Sequence, residues 1–328
     1  MPGSTHDLPP IPTRPPEGHK GTFGTVLVIG GCEFVPEQDP GAAVRMIGGT
    51  ALAARAALRS GCGLVRLMMP AGVLNAALIV APECTGVPLR TNDNGEIIPH
   101  LAAEMFDRHL ESAAAVAIGP ALGSGEGARS LVLRAVRQTR VPVVVDADAI
   151  NLLSDVIDLP REFRAAAVLT PHPVEFRRLA VPLGISHNPT GRDSRPAAAE
   201  ALAQKLGAVV VLKGSETVVT DGIDVWLNCR PNPVLATGGS GDILTGLIAG
   251  LISQHVRLPC NNLGQEPAGA QREGSSLSLF DAARLAVAAH ADAAEAWAAR
   301  MNATGGMLAS DLLDELPRCM ERRRTRQT

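Results

Sequence analysis

Two apolar patterns alternate along this chain. Continuous apolar runs occur at Thr25–Ile29, Gly63–Met69, Ala114–Ile118, Val141–Val145, Ala166–Leu169 and Ala208–Leu212. Runs this short, with no polar residue at every second position, predict strands covered on both faces, as in a parallel sheet. Between them lie stretches at Gly48–Ser60, Ala128–Gln138, Val174–Leu179 and Pro196–Leu206 whose composition or spacing predicts helices. The alternation implies an α/β fold with right-handed crossovers. Late in the chain the pattern changes. Glu216–Thr220 and Val225–Asn228 flank Asp221-Gly222, a hairpin signature. Helices are expected after it over Gly241–Gln254, Ser278–Arg300 and Ala309–Arg318, with Cys260–Ser276 as a surface insertion rich in Asn, Gly, Gln and Ser. No internal repeat is evident. The polar, proline-rich residues 1–18 read as a disordered or extended arm, and residues 19–328 as one domain.

Composition removes several function classes. Of 328 residues, 46% are hydrophobic, enough for a large core. Aromatic residues make up 2% and Tyr is absent, so base-stacking platforms are not expected. A net charge of -3 gives no electrostatic reason for a nucleic-acid partner. No apolar run is long enough to span a membrane, and the N-terminal stretch lacks the apolar core of a signal peptide, so the expected location is the cytoplasm. The six cysteines form no C-x-x-C pair, which argues against zinc or a redox dithiol and for free thiols in a reducing compartment.

The chemistry concentrates where predicted strands end. In Asn232–Asp242, Gly238, Gly239, Ser240 and Gly241 lead directly into an apolar helix. Glycines let backbone N–H groups approach an oxyanion, and a helix start adds unsatisfied donors and partial positive charge. This is an anion hole suited to phosphate. Asp242, in the first helical turn, can take a proton from an attacking hydroxyl. A plain capping role for Asp242 would not need three glycines. The segment is not a Walker loop, because no G-K-[ST] follows.

Other strand ends add weaker signals. Lys213, Gly214, Ser215, Glu216 and Thr217 can hold a nucleotide by charge and backbone N–H groups; alone, they read equally well as an ordinary strand-to-hairpin turn. His172 can hydrogen-bond a substrate and Glu175 can organise Mg²⁺ through water, although a loop histidine is more often structural. Asp146 and Asp148 can position substrate or a metal-bound water. Their residues favour a plainer reading, with Asp146 ending a strand and Asp148 capping a helix. Gly119–Gly123 is a tight turn whose glycines permit close approach to a ligand.

Taken together, these segments resemble the ADP/ATP-dependent NAD(P)H-hydrate dehydratase family of the ribokinase superfamily. The resemblance is carried by HKGTFG at 19–24, AALRSGCGLV at 56–65, IGPALG at 118–123, DADAIN at 146–151 and LTPHPVEF at 169–176. It continues through VLKGSET at 211–217, NPVLATGGSGDILTG at 232–246 and MLASDLLDELP at 307–317. It implies a ribokinase-like three-layer α/β/α sandwich with a mostly parallel central sheet. It also implies repair of the S-epimer of hydrated NADH or NADPH: ADP or ATP phosphorylates the ring hydroxyl, and phosphate is then eliminated. Asp242 matches the family's catalytic base, and Gly241 with Lys213–Thr217 the adenine-nucleotide contacts. Gly49, Thr50, Ala121, Gly123 and His172 match contacts to the hydrated cofactor. ADP with Mg²⁺ is the expected donor, as in bacterial members. A homo-oligomer, a tetramer by the resemblance, and a separate NAD(P)H-hydrate epimerase are the expected partners, since 328 residues leave no room for the epimerase domain that many relatives carry.

The chain departs from the family pattern at several points. Ala121 and Val174 stand where glycine is usual, as do Pro231 and Val234, and Gly31–Met46 is longer. These affect substrate affinity more than reaction type. Two other functions fit the same residues less fully: a small-molecule kinase of the hydroxymethylpyrimidine or hydroxyethylthiazole type, and a non-catalytic nucleotide-binding regulator.

Overall fold

The computed structural model describes residues 8–34, 44–258 and 276–324. The elements, in chain order, are β1 (Thr25–Ile29), β2 (Cys32–Phe34), β3 (Val44–Met46), α1 (Gly48–Ser60), β4 (Leu64–Pro70), α2 (Ala71–Val80), β5 (Thr85–Leu89), α3 (Pro99–Leu110), β6 (Ala115–Ile118) and α4 (Glu126–Arg137). Then follow β7 (Val143–Val145), α5 (Asp148–Leu153), α6 (Leu159–Glu162), β8 (Ala167–Leu169), α7 (Pro173–Ala180), α8 (Arg195–Leu206), β9 (Val209–Leu212), β10 (Thr217–Thr220), β11 (Val225–Asn228), α9 (Ser240–His255), α10 (Leu279–Met301) and α11 (Ala309–Arg324).

Nine strands form one sheet in the order β11-β10-β9-β8-β7-β6-β1-β4-β5. All pairs from β9 to β5 are parallel; β10 and β11 close that edge as an antiparallel hairpin. Successive side chains of a strand point to opposite faces, so each buried strand feeds two cores. In β1, Val26 and Val28 pack with α1, α9, α10 and α11, whereas Leu27 and Ile29 pack with α3 to α8. The result is the three-layer arrangement of the ribokinase-like fold.

The six apolar runs are all strands, and α1 spans the predicted residues. Several elements carried no legible pattern. β5 contains Gly86 and Pro88, poor strand residues that an edge position tolerates. α2 has no polar residue except Asn75 and so shows no amphipathic period. α11 runs past the predicted Arg318, through Pro317, to Arg324. Leu312, Leu313, Leu316, Cys319 and Met320 bury one continuous face, which outweighs the hydrogen bond lost at the proline. Residues 8–18 of the arm lie against the molecule with Ile11 buried. The predicted insertion at Cys260–Ser276 falls almost wholly outside the described residues.

Candidate active site

The predicted segments converge because β6, β7, β8 and β9 are neighbours in the sheet and run in the same direction. Their carboxyl ends deliver Gly119–Gly123, Asp146–Asp148, Thr170–Glu175 and Lys213–Thr217 to one edge, where ligands gather in open α/β sheets. The start of α9 reaches the same edge: Thr245 Oγ1 donates to Asp146 Oδ2 at 2.7 Å.

Close packing of α9 on α1 sets the position of Asp242. A Cβ on Gly246 would lie 1.9 Å from the Ala53 carbonyl oxygen, and one on Gly250 2.0 Å from Ser60 Oγ. At the top of the same row, a Cβ on Gly49 would lie 2.9 Å from Asp242 Oδ1. The amino ends of α1 and α9 therefore both meet the Asp242 carboxylate. Gly239, with φ 88°, is the left-handed residue that turns the chain into α9, and among the described residues no side chain caps the helix. A helix start leaves N–H groups without partners inside the helix, which favours an anion there.

Lys213 sits among the carboxylates. Its Nζ lies 2.7 Å from Asp146 Oδ1 and 3.9 Å from Glu175 Oε2, and a Cβ on Gly241 would approach it to 3.4 Å. Burial opposes its charge, but the Asp146 and Glu175 carboxylates outweigh burial and hold the ammonium protonated above its ordinary range. The Asp242 pKa is raised as well, which for a carboxyl favours the neutral form. Burial first, then the Asp146 charge, push its pKa up to about 7, with Lys213 opposing. A carboxyl with a pKa near neutrality at a helix start can act as a general base.

Residues 26–318 match the family model described as NAD(P)H-hydrate dehydratase. The chain belongs to that family. It is 38% identical over 312 residues to the bifunctional NAD(P)H-hydrate repair enzyme of Coxiella burnetii, covering 94% of this chain and 53% of that protein. It thus spans about half the length of the curated relatives it matches. It is also similar to the ADP/ATP-dependent NAD(P)H-hydrate dehydratase of Bacillus subtilis, a structure obtained with ATP and Mg²⁺, at 30% identity and TM-score 0.70 over 97% of this chain and 99% of that one. A ribokinase-like superfamily protein from Enterococcus faecalis, 23% identical, shares the fold with TM-score 0.67 over 96% and 92% of the two chains.

Within this dehydratase-family framework the remaining predicted residues fall into two groups. Gly49 and Lys213 lie against the Gly238–Asp242 turn, at Asp242 and Gly241 respectively. Others are engaged internally. Thr50 is fully buried and donates to the Pro120 carbonyl at 2.7 Å, tying α1 to the Gly119–Gly123 turn. Gly123 N–H donates to Asp148 Oδ2 at 2.9 Å. The capping role for Asp148 is therefore corrected: it stands in the first turn of α5 without capping it, and its carboxylate braces the neighbouring turn. His172 Nδ1 accepts from the N–H groups of Val174 (3.1 Å) and Glu175 (3.3 Å), while Glu175 Oε2 accepts from His172 N–H at 2.8 Å, a reciprocal cap on α7. With Nδ1 accepting, the ring proton is on Nε2, 3.2 Å from Glu175 Oε1. Glu216 pairs with Arg192 through both oxygens. Burial, with Lys213 opposing, raises the pKa of Glu175.

Two supporting residues escaped the sequence reading. Arg195 is buried and donates to the carbonyls of Leu212 and Lys213, at 2.9 and 3.1 Å, clamping the Lys213 loop. His290 Nε2 lies 3.0 Å from the Ser240 carbonyl oxygen, which can only accept, so Nε2 carries the proton and fixes the start of α9. Burial lowers the His290 pKa to about 4 and keeps the ring neutral. Ala121, where the family pattern has glycine, adopts φ 57°, a left-handed conformation that glycine takes without cost.

Proposed function

We propose that this chain catalyses the nucleotide-dependent dehydration of S-epimer hydrated NADH or NADPH. ADP donates the phosphoryl group, giving the reduced cofactor, AMP and phosphate. The observation that carries this reading is the Asp242 carboxylate, held near neutral proton affinity at the uncapped start of α9, with the Lys213 ammonium across from Gly241.

Asp242 takes the proton of the ring hydroxyl, whose oxygen attacks the terminal phosphorus of the nucleotide. The N–H groups of Gly238–Gly241 and the Lys213 ammonium stabilise charge on the transferring group. The phosphate ester then loses phosphate and a neighbouring ring proton, which restores the double bond. Gly49 leaves room for the substrate beside Asp242. Thr50, Gly123 and His172 support the pocket wall through the hydrogen bonds described above. Mg²⁺ suits the site as a hydrated ion. Among the described residues, no three His, Cys, Asp or Glu side chains are grouped to hold it directly. Glu175, a hard oxygen donor beside the phosphate position, would hold it through water, and the ion would neutralise nucleotide charge.

The test is kcat/KM on hydrated NADH with ADP and ATP compared, with and without EDTA. Free phosphate and restored absorbance of reduced nicotinamide are expected, with ADP preferred and activity lost in EDTA. A stable phosphorylated alcohol would mean a small-molecule kinase instead. An ATP preference would overturn the donor, and full activity in EDTA would remove Mg²⁺ and the role of Glu175.

A further inference from the structure

Asp146 is 1% exposed, yet its carboxylate is bonded from three elements. Oδ1 accepts from Lys213 Nζ, after β9, and from Thr170 Oγ1, after β8, each at 2.7 Å. Oδ2 accepts from Thr245 Oγ1, on α9, at 2.7 Å. Thr245 follows Asp242 by three residues, so the two stand on one side of α9, one turn apart. The backbone here is unusual too. Ala147 adopts φ 49° and ψ -122°, sparsely populated for a residue with a side chain, and a Cβ on Gly119 would lie 1.8 Å from the Asp146 carbonyl oxygen. An aspartate that merely ends a strand needs neither three donors nor a strained neighbour. A buried ion pair is also weak evidence for stability, because removing two charges from water costs about what their attraction returns.

We propose that Asp146 is a positioning residue for phosphoryl transfer. Its Oδ1 holds the Lys213 ammonium beside Gly241, and its Oδ2, through Thr245, fixes the rotation of the α9 start that carries Asp242. The general base and the phosphate-binding cation thus face the same point. Asp146 itself touches neither substrate. Without its charge, Lys213 has two other carboxylates within its reach, Glu175 and Asp242; pairing with Asp242 would neutralise the base. This inference rests on the reading of Lys213 as a nucleotide contact.

A double-mutant cycle on the full chain tests it, with ADP, Mg²⁺ and hydrated NADH. Asp146→Asn keeps the size but removes the charge and replaces one of the two accepting oxygens by an NH2 donor. It should lower kcat and raise the ADP KM, a combined loss in kcat/KM for ADP of about 3- to 100-fold, the usual range for directly coupled side chains. The KM for hydrated NADH should stay near its native value. Lys213→Ala should lower the same ADP parameter, and the loss in Asp146→Asn/Lys213→Ala should be clearly less than the two single losses combined, the remainder being the Thr245 link. Additive losses would overturn the proposal, because Asp146 would then act independently of Lys213. If Lys213→Ala leaves the ADP KM unchanged, the nucleotide reading of Lys213 fails, a result distinct from additivity. Should Asp146→Asn not fold, Thr245→Val decides. Reduced kcat with an unchanged KM for hydrated NADH supports the link to α9, and unchanged kcat overturns it.

Discussion

At the scale of single residues, the proton affinity of Asp242 makes two properties move in opposite directions with pH. Its carboxylate faces Asp146, Asp148 and Glu175, which raise its pKa, and Lys213, which lowers it; burial is the largest cause, and the value reaches about 7. In the proposed role of base it must be deprotonated, so turnover should rise as pH passes through about 7. Stability follows the reverse sign. The folded pKa lies above the unfolded value of about 4, so the folded protein binds this proton more tightly. The resulting stabilisation is full below about pH 4 and is lost as pH rises through 7. Asp242→Asn removes the titration. Its turnover should fall by on the order of a hundred- to ten-thousand-fold. Its Tm relative to the native protein should be higher at pH 8 than at pH 5. Near-native turnover would reduce Asp242 to a helix-start residue, and a Tm difference independent of pH would show that the carboxylate is not strained in its charged form.

Elements explain which parts of this were readable. Buried parallel strands announce themselves as apolar runs, and α1 and α9 by their small and apolar residues, so the sheet and the helices that build the site were legible. So was the Gly238–Asp242 loop, because glycines before an apolar helix have few other uses. The Asp146 network was not. Its donors Thr170, Lys213 and Thr245 lie 24, 67 and 99 positions away, and only the order of strands in the sheet brings them together. The contact between α1 and α9 was hidden for a related reason. Gly246 and Gly250 look like weak helix residues until Ala53 and Ser60 are seen against them. Gly246→Ala should therefore destabilise the protein by about 1–3 kcal/mol, because the clash is with backbone and cannot relax by a rotamer change. Asp242 stands one turn up the same row, so kcat should fall together with Tm. Thermal unfolding and steady-state kinetics on the one variant check both. A full kcat with lowered Tm would place the strain below the active end of the helix.

At the scale of the whole molecule, the active edge and the opposite end of α9 are held by different parts of the chain. The amino end of α9 carries Asp242; its far end carries Gln254, twelve residues on and about 18 Å away along a helix rising 1.5 Å per residue. There the arm preceding β1 crosses the molecule. Arg14 donates to the Gly61 carbonyl at 2.6 Å and to Gln254 Oε1 at 2.7 Å, and it stacks on Phe23 with 3.5 Å to the ring centroid. Ile11 N–H donates to the Arg323 carbonyl at 3.4 Å, and Arg324 donates to the Pro12 carbonyl. The arm therefore ties the carboxyl ends of α1, α9 and α11 into one base, with Ile11, 1% exposed, as its apolar anchor. Ile11→Ala removes that anchor and leaves a cavity, which typically costs about 2–5 kcal/mol. Because the cavity lies at the opposite end of α9 from Asp242, Tm should fall while kcat and both KM values, measured well below the new Tm, stay native. A native Tm would mean that the arm contributes no stability, and an altered KM would mean that strain at the base of α9 reaches the site.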